Sequence, residues 1–114
     1  MTERRVQKKD SLQEILDFCE NNYVTDISIS SVAAALHRSR SYISHIFSNK
    51  ININFRDYIN SLRLNMAKNL LATGDLSITE VASKCGFSTI RTFNRAFRKL
   101  YGVSPTEFRN TKRQ

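Results

Sequence analysis

The sequence predicts an all-α fold of about seven helices, arranged as two similar helical units joined by one long helix. Three observations predict the all-α class. Apolar residues recur at helical spacing between recognisable capping residues, and no segment alternates apolar and polar residues as a half-buried strand would. The 114 residues include only three Gly and one Pro, which argues against a turn-rich all-β fold.

The first three helices follow from capping residues and apolar spacing. Ser11 and Glu14 form a predicted capping box, because the hydroxyl can accept from the N3 amide while the carboxylate reaches back. That box opens a helix at 11–23, along which apolar residues recur at helical spacing. A short helix at 28–36, with a serine as its predicted N-cap, and a further helix at 39–49 follow.

The longest predicted helix covers 54–74. Asn54 is its predicted N-cap, and Gly74 stands where a C′ glycine ends a helix. One apolar face is predicted to be buried, and its members are Phe55, Tyr58, Ile59, Leu62, Met66 and Leu70. A straight helix from 55 to 73 would be about 28 Å long.

The last three helices have clear boundaries in the sequence. A capping box opens a helix at 77–85, and another helix is predicted to begin at Ser88 or Thr89 and to end at Gly102. The final helix starts with Ser104 as N-cap, Pro105 at N1 and Glu107 at N3.

An internal repeat underlies these helices. At an offset of 49 residues, and of 50 after one extra residue, small, apolar and polar positions recur in the same order. Each copy is a short helix, a tight turn and a second helix, which is the helix-turn-helix pattern. Gly86 can take a positive φ in the second turn without steric cost, whereas the matching residue is His37. The repeated pairs include Ser28 and Ser77, Val32 and Val81, Ala33 and Ala82, Ile43 and Phe93, His45 and Arg95, Phe47 and Phe97, and Asn52 and Gly102.

The net positive charge of the chain lies in one part of it. The net charge is +8, but residues 1–37 carry four basic and six acidic side chains, whereas residues 38–114 carry fourteen basic and four acidic ones. The second helix of each repeat contributes a polar or basic face opposite its apolar face. Arg and Asn are the side chains that read guanine and adenine edges in the major groove. This distribution predicts a polyanionic partner.

Three segments of the second copy and its flanks form a recognisable signature, and they are 82–87 (ASKCGF), 93–98 (FNRAFR) and 102–109 (GVSPTEFR). This signature resembles that of AraC/XylS-type transcription regulators. Further matches to the linker helix of that family are Arg63, Leu64, Ala67, Leu70 and Leu71. The resemblance covers about residues 10–110.

The resemblance implies a domain that regulates transcription by binding an asymmetric site on double-stranded DNA through two successive major grooves. These grooves lie about 34 Å apart on one DNA face. The implied base-reading residues are Arg40, Ser41, Ser44, His45, Ile90, Arg91, Asn94 and Arg95. Residues at helix N-termini or flanks that suit phosphate contacts are Ser28, Ser77, Thr89, Arg98 and Lys99. The predicted organisation is a charged lead at 1–10, a first helix-turn-helix subdomain at 11–53, a linker helix at 54–74 and a second subdomain at 75–114.

The first copy departs from the family pattern at three positions. Asn52 stands where glycine is usual, and Asn54 stands where Ser or Thr usually precedes the Phe. Both replacements are mild, because Asn tolerates a left-handed turn and caps helices well. His45 replaces the usual Arg or Lys, which removes a permanent cation from the first reader.

Other functions have less support in the sequence. The alternative that stays open is a helical protein-interaction module whose basic face binds an acidic partner, and RNA polymerase is a candidate second partner. No catalytic constellation, cofactor motif or metal-ligand spacing is recognisable, since His37 and His45 lack partners at metal spacing. Cys85 is predicted to be a buried small hydrophobe. We therefore expect a non-enzymatic, cytoplasmic, monomeric DNA-binding domain without cofactor, membrane span or signal peptide.

Overall fold

The computed structural model describes residues 10–112, and within them it contains seven α-helices and no β-strand. The helices are α1 (Ser11–Asn22), α2 (Ile29–Leu36), α3 (Arg40–Ile46), α4 (Phe55–Thr73), α5 (Ile78–Lys84), α6 (Ile90–Tyr101) and α7 (Pro105–Lys112). The predicted all-α fold is confirmed. Most of the predicted charged lead lies outside the described residues. None of the described helices combines the length and hydropathy that crossing a membrane requires.

The chain forms two compact units. Within the described residues, the first unit contains 10–22 together with Ile27–Asp57, and the second contains Tyr23–Asp26 together with 58–112. The connection between α1 and α2 therefore belongs to the second unit, although its neighbours in sequence belong to the first. The subdomain boundaries given above stay a prediction.

The first unit is built around α1, α2 and α3. After Ile46 the third helix widens into a π-helical turn, Phe47–Ile51, which ends at Asn52 with a left-handed φ of 66°. The predicted helix at 39–49 therefore has two parts with different geometry. Phe47 meets Phe55 edge-on, with ring centroids 5.3 Å apart. The buried apolar residues of this unit are Ile15, Cys19, Val32, Ala33, Ile43, Ile46 and Phe47.

The second unit has an aromatic core. Phe93 lies 5.3 Å from Phe87 and 5.8 Å from Phe97, measured between ring centroids. Phe108 of α7 packs edge-on against Phe97 at 5.6 Å. The buried members of this core are Leu64, Ala67, Leu71, Val81, Ala82, Cys85, Phe87, Phe93 and Phe97.

The first helix begins differently from the prediction. Asp10, not Ser11, is the capping residue, because Asp10 Oδ1 accepts a hydrogen bond from the backbone N–H of Gln13 at 2.8 Å. Ser11 is already the first helical residue. Asp caps a helix as well as Ser does, and its negative charge also interacts favourably with the helix dipole.

The buried face of α4 also differs from the predicted face. Of the six residues predicted for that face, only Ile59 is fully buried, and the others are half-buried. Leu64, Ala67 and Leu71 are buried instead, at most 2% exposed. Ala67 is small, so neighbouring side chains can approach the helix closely at this point. The predicted face was built from large apolar residues and therefore left this position out.

The end of α4 likewise differs from the predicted C-cap. The helix ends at Thr73 as expected, but Gly74 does not adopt the left-handed conformation. Its N–H instead donates to the Leu70 carbonyl at 3.0 Å, which continues the helical hydrogen-bond pattern by one residue. The remaining predicted caps at Asn54, Ser77 and Ser104 are confirmed by their hydrogen bonds.

Candidate nucleic-acid interface

Each unit contains a helix-turn-helix arrangement whose turn is left-handed. His37 ends α2 with a φ of 59°, and Gly86 lies in the turn between α5 and α6 with a φ of 104°. One turn before each of these residues lies a small buried residue, Ala33 or Ala82. Such small residues let the second helix of each unit cross closely over the first. The second helices, α3 and α6, each keep a row of exposed side chains.

In the first unit, the predicted base-reading side chains lie together. They line one shallow, open depression on α3 and the turn that follows it. The residues that line the depression are Arg40, Ser41, Ser44, His45, Ser48 and Asn49. Sequence reasoning missed Ser48 and Asn49, which follow Ser44 and His45 by four residues. That helical spacing was the signal that could have identified them.

Asn49 orients the side chain of His45. The Asn49 amide nitrogen lies 3.0 Å from the imidazole nitrogens, so the amide can donate to whichever ring nitrogen carries no proton. Both side chains are exposed. The pair therefore lies on the exposed side of α3 and of the turn that follows it.

In the second unit, the predicted base-reading side chains share one exposed face of α6. Arg91, Asn94 and Arg95 are exposed and spaced by three and four residues, which places them side by side on a helix. Ile90 at the start of the helix is 38% exposed. The opposite face is fully buried in the phenylalanine core, so the orientation of the exposed face is fixed by packing.

The residues predicted to contact phosphates occupy two kinds of position. Ser28, Ser77 and Thr89 are N-caps whose hydroxyls accept from the amides of Ser31, Glu80 and Thr92, each at 3.1 Å. Their hydroxyls are thus already engaged within the helix, and a ligand would meet the N-terminal amides. Arg98 and Lys99 are exposed near the end of α6. The Arg98 guanidinium lies 3.4 Å from the Glu107 carboxylate, and both side chains are 60% exposed.

The cysteines of the chain are unsuited to nucleophilic or redox chemistry. Cys19 and Cys85 are both free and fully buried, which confirms the interpretation of Cys85 as a small core residue. Burial raises the pKa of the Cys19 thiol to about 12 and that of Cys85 to about 11. Residues 10–112 contain no group of three His, Cys, Asp or Glu side chains placed to hold a metal ion.

Comparison with known proteins agrees with this description. The fold and the exposed second helices define a helix-turn-helix protein, and a family described as a helix-turn-helix domain matches residues 32–111. One solved structure similar to this chain, from Chromobacterium violaceum, is described as a transcriptional regulator with an AraC-type DNA-binding domain. The chain belongs to the AraC-type helix-turn-helix family of transcription regulators.

Curated relatives are longer than this chain. An uncharacterised helix-turn-helix transcriptional regulator of Escherichia coli, YijO, is 40% identical over 97 residues, which are 85% of this chain and 34% of the relative. The regulator YtdP of Bacillus subtilis is 31% identical over 107 residues, 94% of this chain and 14% of the relative. The chain thus spans about a third of the length of YijO and a smaller share of YtdP.

Two solved structures are similar over nearly the whole chain. The C-terminal domain of AraT, a response regulator from Geobacillus stearothermophilus, has a TM-score of 0.86 at 28% identity and covers 92% of this chain and 88% of that one. The DNA-binding domain of AdpA, solved in complex with a target DNA, has a TM-score of 0.84 at 27% identity. The match covers 92% of this chain and 95% of the AdpA domain.

Proposed function

We propose that this chain binds a specific sequence of double-stranded DNA and thereby regulates transcription, with α3 and α6 as its recognition helices. One observation carries the proposal. In each unit the second helix buries an apolar face and exposes a face of polar and basic side chains, which is the form that enters a major groove. The similarity to the AdpA domain, which was solved with its target DNA, supports the same function.

The two helices would read bases by different chemistry. On α6, Arg91 and Arg95 can each donate two hydrogen bonds to a guanine, and Asn94 can pair with the edge of an adenine. Ile90 offers an apolar contact to a thymine methyl group. On α3, base reading would be shared among Arg40, two serines and the neutral or charged imidazole. The set proposed for the first groove is Arg40, Ser41, Ser44 and His45, and the structure adds Ser48 and Asn49 as neighbours.

Phosphate contacts would fix the register of the protein on DNA. We assign them to the helix starts at Ser28, Ser77 and Thr89, where free amides and the helix dipole favour an anion, and to Arg98 and Lys99. The exposed ion pair between Arg98 and Glu107 is weak, so a phosphate can compete for the guanidinium.

The target site is expected to be asymmetric, because the two readers carry different side chains. A site that spans two successive major grooves suits a single copy of the domain, because each of its two units supplies one recognition helix. We propose that the domain acts in the bacterial cytoplasm as a monomer, without catalysis or cofactor. RNA polymerase is a candidate second partner.

The salt dependence of DNA binding tests the proposal. Affinity for a duplex selected from a random library should fall linearly on a log–log plot, with a slope of roughly −0.9 per neutralised phosphate. A scrambled duplex should show a similar slope at a much weaker affinity. A flat salt response, or equal affinity for selected and scrambled duplexes, would contradict sequence-specific DNA binding. Equal affinity for the two duplexes, together with tight binding to an acidic protein, would favour the alternative of a protein-interaction module.

A further inference from the structure

A guanidinium from α4 holds the connection between α1 and α2. Arg63 donates from Nε to the Tyr23 carbonyl at 2.7 Å and from a terminal nitrogen to the Thr25 carbonyl at 2.8 Å. Neither carbonyl lies in a helix, so this one side chain satisfies two backbone groups of an irregular segment. A rigid planar fork suits two nearby acceptors, whereas a lysine ammonium is a point charge on a flexible stem.

The same guanidinium lies against the turn that leads into α6. Its central carbon is 5.6 Å from the centroid of the Phe87 ring, within the range of a cation–π contact. The Phe87 ring in turn lies 5.3 Å from Phe93, the first buried ring of α6. A continuous set of contacts therefore runs from the connection, through Arg63 and Phe87, to the helix that carries the second set of base-reading side chains.

The connection and the turn are in close backbone contact. A Cβ atom on Gly86 would lie 2.9 Å from Val24 Cα, 2.9 Å from the Val24 carbonyl oxygen and 3.0 Å from Arg63 Nε. The φ of Gly86 is 104°, which also favours glycine. Because no side chain separates the two segments, a shift of the connection would displace the turn directly.

We propose that Arg63 is a positioning residue for α6 and that Tyr23–Asp26 form a component of the second reader. The inference rests on the proposed DNA-binding function. Base reading requires side chains held within a fraction of an ångström by the shell behind them. Loss of the Arg63 fork would release the connection and the turn, and α6 would present its base-reading side chains less uniformly. The expected loss is therefore one of sequence discrimination rather than of general attraction to DNA.

The test is the base-preference profile of the full chain. Wild type and variants are used to select duplexes from a randomised library, at a temperature at which circular dichroism shows each variant to be folded. Base pairs whose preference changes in Arg95→Ala define the segment read by α6, and those that change in Arg40→Ala define the segment read by α3. In Arg63→Gln, base preferences should weaken about tenfold only in the segment read by α6, a loss comparable to that of one bidentate contact.

Two further variants keep the test sharp. Lys68→Met removes the same charge from α4, and the contact it loses is with the Tyr101 ring, 5.0 Å away at the last residue of α6 and remote from the base-reading residues at the start of that helix, so its profile should match wild type. Arg63→Lys keeps the charge without the fork and should lose discrimination in the same segment as Arg63→Gln, which tests the inference if the glutamine variant does not fold.

Three results would overturn the inference. They are an unchanged profile in a folded Arg63 variant, an equal loss along the whole site, and the same loss in Lys68→Met. A wild-type chain that enriches no sequence would instead overturn the proposed function, and the inference with it.

Discussion

The two helix-turn-helix units follow one template but meet its backbone requirements differently. In the second unit both left-handed positions are glycines, Gly86 and Gly102, whereas the first unit has His37 and Asn52 at the matching positions. A residue with a side chain in the left-handed region costs roughly 1 kcal/mol or more, although Asn and His tolerate it better than most. The first unit therefore carries local strain that the second avoids.

The difference shows which glycines the fold requires. A Cβ on Gly102 would meet nothing within 4 Å, so only the backbone angle favours glycine there. A Cβ on Gly86 would instead collide with the backbone at Val24. The asparagine at position 52 shows that the repeat accepts a side chain where the space is open. Crowding by another segment, rather than the turn itself, makes glycine necessary at position 86.

The largest effect is expected from Gly86→Ala. The variant adds a methyl group within 3 Å of the Val24 backbone and forces alanine into a positive φ, so it should lower the free energy of unfolding by about 3 kcal/mol. Gly102→Asn, which copies the first unit, should cost less than about 1 kcal/mol. Urea unfolding followed by circular dichroism measures both. Similar losses in the two variants would show that the φ angle alone sets the requirement.

The next largest effect concerns the two readers. Arg91→Ala or Arg95→Ala should weaken binding to the selected duplex by about 1–3 kcal/mol more than Ser44→Ala, because each arginine can make a bidentate contact to guanine. Fluorescence anisotropy at fixed salt measures the difference. Equal small losses in all three variants would mean that the second unit is not the dominant reader.

A gain of affinity is expected from His45→Arg, which restores the cation usual at this position in the family. If the guanidinium reaches one more phosphate, the salt slope should steepen by roughly 0.9. Asn49→Ala is the control for the salt slope. It removes the hydrogen-bond partner of His45 without adding charge, so the slope should stay at its wild-type value. An unchanged affinity together with an unchanged slope in His45→Arg would place this side chain away from the DNA.

The smallest effect concerns the caps of α2 and α5. In both helices the N-cap serine is part of a capping box, but its partner is Ser31 in the first unit and Glu80 in the second. Hydrogen bonds from the Ser77 backbone and hydroxyl lower the pKa of the Glu80 carboxyl below its usual range. This carboxylate therefore stabilises the fold above the unfolded-state pKa of about 4.3, and the contribution is lost as pH falls through the lower folded-state pKa.

Unfolding experiments at two pH values separate the two caps. Glu80→Gln should lower the free energy of unfolding slightly at pH 7. At a pH below the folded-state pKa of Glu80, the variant should match wild type. Ser31→Ala should cost the same at both pH values, because a serine hydroxyl does not titrate there. A constant difference between Glu80→Gln and wild type across the range would show that the charge of Glu80 does not contribute.

Local features of the fold were predictable because local residues decide them. The caps at Ser28, Ser77 and Ser104 and the left-handed turns depend on side chains within a few residues, and the repeat reinforced each assignment. The predicted N-cap of α1 was wrong because Asp10 and Ser11 are adjacent in the chain and both are residues that cap helices well. The exposed faces of α3 and α6 were predictable because the apolar residues opposite them follow a helical period.

The sequence by itself determined the helices, most of their caps, the repeat and the two polar faces, because each depends mainly on residues close in the chain. Only the tertiary structure decided which side of α4 is buried, why Gly86 must be glycine, and that Arg63 binds carbonyls 38 and 40 residues away. It also decided that Tyr23–Asp26 belongs to the second unit. These features arise where distant segments meet, and hydrophobic periodicity carries no information about which segments those are.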